Sequence, residues 1–280
     1  METPEFKFVE ILGVKVPYRA LSCNPLYPFN DHFKLTVHVT DACPCDCKFC
    51  CNALNKGAFL DVEKFRRDYE AINAAVTLDE VYLTGGEPTL FWDKIKECLA
   101  FIKQPVTINT MGLYLDRIDE PVGISLSRHH WEHEVNESIL GIKIPKDYIE
   151  KFPYKERMNI SCNLIKGQVE DEAGMRKMLD FSMDNDIGTT GFVALLPVNE
   201  YSIGNVVPIP HLTGDDVLTY REFNYPTGTC SCSNFCYSRG AKTHRFYVKR
   251  NLCPTENRGG RIMYRNGIQP WFQNGSLPKV

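Results

Sequence analysis

The chain has 280 residues, of which 43% are hydrophobic and 24% are charged, as in a water-soluble globular protein. It has no continuous apolar run near the ~18 residues of a membrane span, and its mixed, charged first residues, METPEFKFVE, do not resemble a signal peptide. We therefore expect a cytoplasmic protein with no membrane partner. Because cytoplasmic thiols stay reduced, the twelve cysteines favour metal ligation over disulfides.

Charge is distributed unevenly along the chain. The net charge is −3, but residues 239–280 contain nine lysines and arginines against one acid, Glu256, so this segment carries +8 and residues 1–238 carry −11. A basic surface favours anionic groups such as a phosphorylated substrate, a nucleotide or RNA. The alternative is a solvated tail whose charges pack on the acidic body.

The predicted elements alternate between short strands and helices. After an N-terminal extension, residues 1–33, six strands are expected, at Leu35–Thr40, Val81–Thr84, Val106–Thr110, Gly123–Ser127, Asn159–Ile165 and Gly191–Leu196. Asp61 is expected to cap a helix after the first strand, and Asp171–Asn185 to form a helix after the fifth. This order is typical of repeated βα units around a parallel sheet, so the predicted fold class is α/β.

Four of these strands alternate apolar and polar residues. Parallel strands that are covered on both faces are normally apolar throughout. One apolar and one polar face instead predict a barrel-like arrangement with helices outside and a polar lumen, which we interpret as a substrate cavity. His38 and Tyr82, on the polar face of the first two strands, are candidate substrate-binding residues.

Five cysteines lie between positions 43 and 51, directly after the first strand. Cys43, Cys47 and Cys50 have the spacing C-x3-C-x2-C, and three such thiolates can ligate three irons of a 4Fe–4S cluster and leave the fourth open. Zinc is the alternative, although structural zinc sites have four ligands, more often in two separated C-x2-C pairs. Cys45 and Cys51 do not fit the three-ligand pattern.

The second predicted strand ends in the stretch YLTGGEPTL. Gly85 and Gly86 permit a close approach of backbone carbonyls to a ligand at the end of the strand, and Glu87 offers an acceptor for an ammonium group. Phe49 adds an aromatic side chain just before the third cysteine.

Together these motifs resemble the radical SAM superfamily over roughly residues 34–200, with the subfamily left unassigned. The resemblance implies a partial (βα)6 TIM-like barrel over residues 34–212. It implies that Cys43, Cys47 and Cys50 bind a 4Fe–4S cluster. It also implies S-adenosylmethionine as cofactor, reductive cleavage to a 5′-deoxyadenosyl radical, and an external one-electron reductant such as flavodoxin or ferredoxin. The residues expected to bind the cofactor are Phe49, Gly85, Gly86, Glu87, Thr110, Ser125, Ser127, Arg128 and Asn163.

Beyond about Leu212 the βα pattern ends, and residues 213–280 are predicted to form a small, loop-rich cysteine extension. Its four thiols, spaced C-x-C-x3-C-x16-C, are enough to ligate an auxiliary 4Fe–4S cluster; a structural zinc site or free thiols remain open. These residues are Cys230, Cys232, Cys236 and Cys253. Lys242 and Arg245 lie between them and are candidate contacts for an anionic substrate.

The predicted function is hydrogen abstraction from a polar, anionic small molecule or peptide, leading to oxidation or epimerisation in natural-product or peptide modification. Two alternatives belong to other classes. The basic C-terminal segment is compatible with an RNA-modifying radical SAM enzyme, and a non-catalytic zinc-binding interaction protein would use the same cysteines for structure. We interpret the histidines of HHWEH as a turn that lines the cavity, and Cys98 and Cys162 as small buried hydrophobes.

Overall fold

A computed structural model of the chain describes residues 6–19, 32–50, 57–221, 233–249 and 261–269. The chain divides into two compact units. Unit 1 comprises Met1–Cys43, Asn52–Asn109 and Pro254–Val280, and unit 2 comprises Pro44–Cys51 and Thr110–Cys253. Across the described ranges, no helix combines the length and the apolar character needed to cross a membrane.

Unit 1 consists of an N-terminal hairpin and a mostly parallel sheet with two helices. Its strands are β1 (Phe6–Ile11), β2 (Val14–Arg19), β3 (His32–Thr40), β4 (Thr77–Gly85), β5 (Val106–Thr110, its last residue in unit 2), β12 (Arg261–Tyr264) and β13 (Ile268–Gln269). The helices are α1 (Val62–Ala75) and α2 (Trp92–Leu99). Strands β1 and β2 pair with each other. The sheet order is β13-β12-β3-β4-β5, and every neighbouring pair is parallel except the β12–β13 hairpin.

Unit 2 repeats the βα arrangement and ends in antiparallel strands. Its strands are β6 (Gly123–Ser127), β7 (Met158–Leu164), β8 (Thr189–Ala194), β9 (Val217–Arg221), β10 (Ser233–Arg239) and β11 (Lys242–Lys249). Its helices are α3 (His133–Leu140), α4 (Glu172–Asp184) and α5 (Glu200–Gly204). In the order β6-β7-β8-β11-β10-β9, the first four strands are parallel and β10 is antiparallel to both of its neighbours.

The predicted helix starts are confirmed by their caps. The Asp61 carboxylate accepts a hydrogen bond from the Lys64 backbone N–H at 2.9 Å, and that of Asp171 accepts one from the Gly174 N–H at 2.8 Å. A side-chain acceptor at this position satisfies one of the backbone donors that a helix start leaves unpaired.

The predicted alternation of the strands is also confirmed. In β7 the side chains of Met158, Ile160 and Leu164 are buried, whereas Asn159 and Asn163 between them are partly exposed. The same division holds in β3, β4 and β6, because successive side chains of a strand point to opposite faces. Each unit therefore has one apolar sheet face and one polar face.

Cys98 and Cys162 lie in the apolar core, as predicted. Both are fully buried, and burial raises the pKa of the Cys98 thiol to about 12 and that of Cys162 further still. Neither thiol is available as a thiolate at neutral pH.

The C-terminal extension is more regular than its composition indicates. Its described residues form strands that lengthen the two sheets, since β11 pairs in parallel with β8 and β12 pairs in parallel with β3. The α/β class with mostly parallel strands is confirmed. The domain boundaries at residues 33/34 and 212/213 stay predictions.

Candidate active site

The segment 41–50, which we call the cysteine loop, begins in unit 1 against the end of β4. The N–H of Gly86 donates to the Thr40 carbonyl and that of Glu87 to the Ala42 carbonyl, both at 2.7 Å. A Cβ atom on Gly86 would lie 2.1 Å from the Ala42 oxygen, and one on Gly85, whose φ is +142°, would lie 2.3 Å from the Thr40 oxygen. Two glycines are thus required because the loop backbone passes this close to the strand end.

The Glu87 carboxylate lies in the same place and is buried. One of its oxygens, Oε1, accepts hydrogen bonds from the backbone N–H, at 3.0 Å, and from the hydroxyl of Thr89. The carboxylate therefore caps the turn Pro88–Phe91. Its expected contact with an ammonium group stays a prediction.

His38 is held on the polar face of β3 by an acidic neighbour. Its Nε2 atom lies 2.6 Å from Asp41 Oδ1, and Arg265 Nη2 donates to both Asp41 oxygens, at 2.8 and 2.7 Å. Burial raises the pKa of Asp41, but the hydrogen bonds from His38 and Arg265 outweigh this effect and lower it. The candidate substrate residue His38 is therefore oriented by a carboxylate that a C-terminal arginine fixes.

Tyr82, the other candidate on this face, belongs to a polar network in unit 1. Its hydroxyl donates to Glu80 Oε2 at 2.8 Å and accepts from Lys34 Nζ at 3.2 Å, while the Thr107 hydroxyl donates to Glu80 Oε1 at 2.9 Å. Burial raises the pKa of Glu80, but the charge of Lys34 and the hydrogen bonds from Lys34, Tyr82 and Thr107 together outweigh it and keep the carboxylate ionised. This engagement does not support the predicted substrate contact of Tyr82.

In unit 2 the cysteine loop continues against the end of α3. The N–H of Asp46 donates to the Leu140 carbonyl at 3.0 Å, and the Cys47 thiol lies 3.5 Å from the same oxygen. Gly141 ends α3 with φ +68°, and a Cβ there would lie 3.0 Å from the Cβ and the carbonyl oxygen of Asp46. The N–H of Cys50 donates to the Cys47 carbonyl at 3.0 Å, which closes a turn between the two cysteines.

Phe49, between these cysteines, packs edge-on against His129 with ring centroids 5.0 Å apart. The imidazole of His129 accepts a hydrogen bond at Nδ1 from the backbone N–H of Asn163 at 3.1 Å. The backbone N–H of His129 donates to Asn136 Oδ1 at 2.8 Å. Burial lowers the pKa of His129 to about 3, so the imidazole is neutral with its hydrogen on Nε2. The HHWEH segment thus places a buried imidazole behind Phe49, a role that we did not predict.

Three predicted cofactor residues lie at the carboxyl half of the polar face of unit 2. Ser125, Ser127 and Asn163 are partly exposed, and their side chains have no hydrogen-bond partner within the described part of the chain. Their polar groups are therefore available to a ligand on this face.

Thr110 and Arg128, also predicted cofactor residues, are buried. The Thr110 hydroxyl accepts the Gly112 N–H at 3.0 Å. The Arg128 guanidinium donates to the Tyr148 hydroxyl at 2.8 Å and lies 4.1 Å from the ring centre of Phe181. Arg128 continues the alternation that places the buried residues of β6 on the apolar face of the strand. The structure therefore favours a packing role for it.

The candidate substrate residues of the extension lie near the amino end of β8. Arg245 is opposite Thr189, the first residue of β8, and Lys242 Nζ lies 3.7 Å from Asp186. The residues of unit 2 that support the cysteine loop lie instead at or after the carboxyl ends of β6, β7 and β8. This is the end of a parallel sheet at which ligands usually bind. This placement does not support Lys242 and Arg245 as substrate contacts.

Other basic residues of the extension pair with acids. Arg239 contacts Asp180 and Asp184, and Arg265 contacts Asp41. These ion pairs favour the alternative in which the basic segment packs on the acidic body.

The second group of cysteines is described at one position. Cys236 is a partly exposed free thiol in the middle of β10. Cys230, Cys232 and Cys253 lie outside the described residues, as does Cys51. The auxiliary cluster stays a prediction.

The thiols of the cysteine loop suit an iron–sulfur cluster chemically. Cys43, Cys45, Cys47 and Cys50 are partly exposed and form no disulfide within the described residues. Thiolates are the ligands of such clusters, so the residue type fits this group. Cys43 belongs to unit 1 and the other three to unit 2, and within neither unit do the described residues gather three metal-ligating side chains.

Known structures share this fold. The chain is similar to SuiB of Streptococcus suis bound to precursor peptide SuiA, with a TM-score of 0.50 and 17% identity over 66% of this chain and 42% of that one. For SuiB bound to S-adenosylmethionine the TM-score is 0.50, with 17% identity over 67% of this chain and 43% of that one. For native anSMEcpe with bound AdoMet and Cp18Cys peptide the TM-score is 0.43, with 16% identity over 61% of this chain and 55% of that one.

The chain spans less than half the length of the SuiB chains, and at this identity the likeness shows the fold, in keeping with the predicted partial barrel. No curated protein sequence matches the chain. Residues 37–163 match the family model of the radical SAM superfamily. This match covers the cysteine loop and the GGEP stretch, so over these residues the chain is similar to the radical SAM superfamily.

Proposed function

We propose that this protein is a radical SAM enzyme in which Cys43, Cys47 and Cys50 hold a 4Fe–4S cluster. When bound, the cluster and S-adenosylmethionine supply an electron and a 5′-deoxyadenosyl radical that abstracts hydrogen from the substrate. One observation carries this proposal: the cysteine loop, whose described thiols form no disulfide, is fixed in unit 1 by the GGE backbone and in unit 2 by the turn after α3.

The residues around the loop have separate tasks in this proposal. Gly85, Gly86 and Glu87 bind the amino group of the cofactor, and Phe49 contacts it with the buried His129 as support. Ser125, Ser127 and Asn163 bind its polar groups, and their unpaired side chains at the strand ends support this assignment.

We assign the substrate to the class of polar small molecules or peptides. The polar sheet faces support this class, and on that of unit 1 the candidate contact is His38, which Asp41 orients. A peptide is the favoured form because SuiB, which shares the fold, is described in complex with a precursor peptide.

The reaction that we propose is oxidation or epimerisation, with an external one-electron reductant. An auxiliary cluster on Cys230, Cys232, Cys236 and Cys253 would serve electron transfer, since full cysteine ligation leaves no iron open to a substrate. The ion pairs of Arg239 and Arg265 weigh against an RNA substrate, because paired arginines attract phosphates less strongly.

The test is anaerobic reconstitution with iron and sulfide, followed by reduction in the presence of S-adenosylmethionine. We expect release of 5′-deoxyadenosine and methionine, its loss in Cys43→Ala, Cys47→Ala and Cys50→Ala, and its retention in Cys45→Ala, a control within the same loop. About four irons per chain indicate one cluster and about eight indicate two. Zinc without iron or sulfide, or 5′-deoxyadenosine release by all three variants, would overturn the proposal.

A further inference from the structure

Asn199, at the turn between β8 and α5, contacts two parts of unit 2 with the two ends of its amide. Its Oδ1 accepts a hydrogen bond from the Ser202 N–H at 2.8 Å, and the Ser202 hydroxyl accepts the Asn199 N–H at 2.9 Å. This reciprocal arrangement caps the first turn of α5. The cap uses the amide oxygen and leaves the amide nitrogen for another partner.

The amide nitrogen binds the cysteine loop. Nδ2 of Asn199 donates to the Lys48 carbonyl at 3.0 Å and approaches the Cys50 carbonyl at 3.4 Å. Carbonyls can only accept and the Ser202 N–H can only donate, so this network defines which end of the amide is nitrogen. The two carbonyls flank Phe49, and no other group in the described ranges donates to that of Lys48.

Other contacts also support the loop in unit 2. The Asp46 N–H is bound to the Leu140 carbonyl, and the Phe49 ring rests on His129. Neither of them restrains the carbonyls of Lys48 and Cys50. Rotation of these peptides would move the backbone that carries the Cys50 thiol, whereas the Asn199 amide opposes that rotation.

We propose that Asn199 is a positioning residue for the cluster, in that its amide nitrogen holds the Lys48 carbonyl before Phe49 and the Cys50 carbonyl after it, and so keeps the Cys47–Cys50 turn in a ligating conformation. This inference rests on the proposed function. It adds a residue that has no place in the cysteine or glycine motifs and that lies 149 positions along the chain from Cys50.

The two roles of Asn199 are separable by substitution. Serine and aspartate are both good N-cap residues, so Asn199→Ser and Asn199→Asp keep the cap of α5. Serine lacks a donor that reaches the loop, and aspartate would direct a carboxylate oxygen at two carbonyl oxygens. Asn205→Ser is the matched control, because the Asn205 amide binds the Tyr201 carbonyl in the same helix and does not touch the loop.

The experiment measures iron release from the reconstituted cluster to a chelator, the electron paramagnetic resonance signal of the reduced cluster with and without S-adenosylmethionine, and the thermal midpoint of the apoprotein. Loss of the loop contacts is expected to accelerate iron release roughly 5- to 30-fold in both Asn199 variants. We also expect an altered resonance signal in these variants. Asn205→Ser should release iron at the wild-type rate, and the midpoint of Asn199→Ser should stay near that of the wild type.

Iron release at the wild-type rate in Asn199→Ser and Asn199→Asp would overturn the inference and leave Asn199 as a helix cap. Equal acceleration in Asn205→Ser would overturn it as well, since the effect would then come from a loosened helix. If the wild-type protein assembles no cluster, the proposed function fails first. That result is distinct from a wild-type cluster that the Asn199 variants hold equally well.

Discussion

The two ends of the cysteine loop are held by different kinds of contact. In unit 1 the backbone of residues 40–42 lies against the backbone of Gly86 and Glu87, at a distance that excludes a side chain. In unit 2 the loop is held by a carbonyl from α3, the ring of His129 and the amide of Asn199. A backbone contact of this kind requires glycine and leaves a motif in the sequence. The unit 2 contacts come from distant segments of the chain and leave no such motif.

Gly86→Ala breaks the unit 1 contact and should have the largest effect. The added methyl would lie 2.1 Å from the Ala42 oxygen, so the strand end and the loop cannot both keep their positions. We expect a loss of about 3 kcal/mol in the free energy of unfolding, together with loss of iron binding. Gly204→Ala, where the methyl meets open space, is the control. Equal urea midpoints for the two variants would contradict the steric argument.

His129→Gln tests whether the imidazole behind Phe49 is buried and neutral. The readout is the pH dependence of the free energy of unfolding. The imidazole has a pKa of about 3 in the folded protein and about 6.5 when unfolded. As the pH falls below about 6.5, the unfolded state binds a proton that the folded state refuses, so stability falls towards acid. In the variant the free energy of unfolding should no longer fall towards acid through this residue, a dependence of up to about 1.4 kcal/mol per pH unit in the wild type.

The measurement compares the free energy of unfolding of both proteins in urea at pH 7 and pH 5. His244, whose pKa burial lowers to about 4, keeps its contribution in both proteins. If the free energy of unfolding of His129→Gln falls between pH 7 and pH 5 as much as that of the wild type, His129 is not buried as a neutral group.

Gly141→Ala tests the unit 2 contact at Asp46. Both Gly141 and Gly240 have a positive φ, +68° and +62°, but a methyl at Gly141 would lie 3.0 Å from Asp46 and one at Gly240 would meet nothing within 4 Å. Each alanine variant should lose about 1 kcal/mol of stability from backbone strain. Faster iron release is expected for Gly141→Ala alone. If Gly240→Ala releases iron equally fast, the Asp46 contact does not matter.

Arg265→Gln should have the smallest effect on the loop. The arginine is largely exposed, and an exposed ion pair with Asp41 contributes about 0.5 kcal/mol. The thermal midpoint should fall slightly at low salt and not at high salt, because salt screens exposed charges. Iron binding should be unchanged, since the backbone contact of unit 1 remains. A large loss of iron would show that Asp41 positions the loop more strongly than the glycines do.

Much of the fold could be predicted because it depends on local patterns. The bounds Val106–Thr110 and Gly123–Ser127 match the observed strands, the predicted cap Asp61 is observed, and the helix predicted from Asp171 begins there with Asp171 as its cap. The strands β11 and β12 were missed because the Gly, Pro and Cys content of the C-terminal segment masks their short alternating runs. Their pairing with β8 and β3 joins distant parts of the chain, which no local pattern encodes.

The candidate site divides in the same way. By itself the sequence determined where the glycines at the end of β4 lie, and it predicted the resemblance to the superfamily and the three cysteine ligands, because ligand spacing and close backbone approach constrain neighbouring residues. Only the tertiary structure brought Arg265 to Asp41, 224 positions away, and Asn199 to Lys48, 151 positions away. The physical reason is that such contacts depend on which strands pair and in what register, and the side chains that make them have no fixed spacing from the motif that they support.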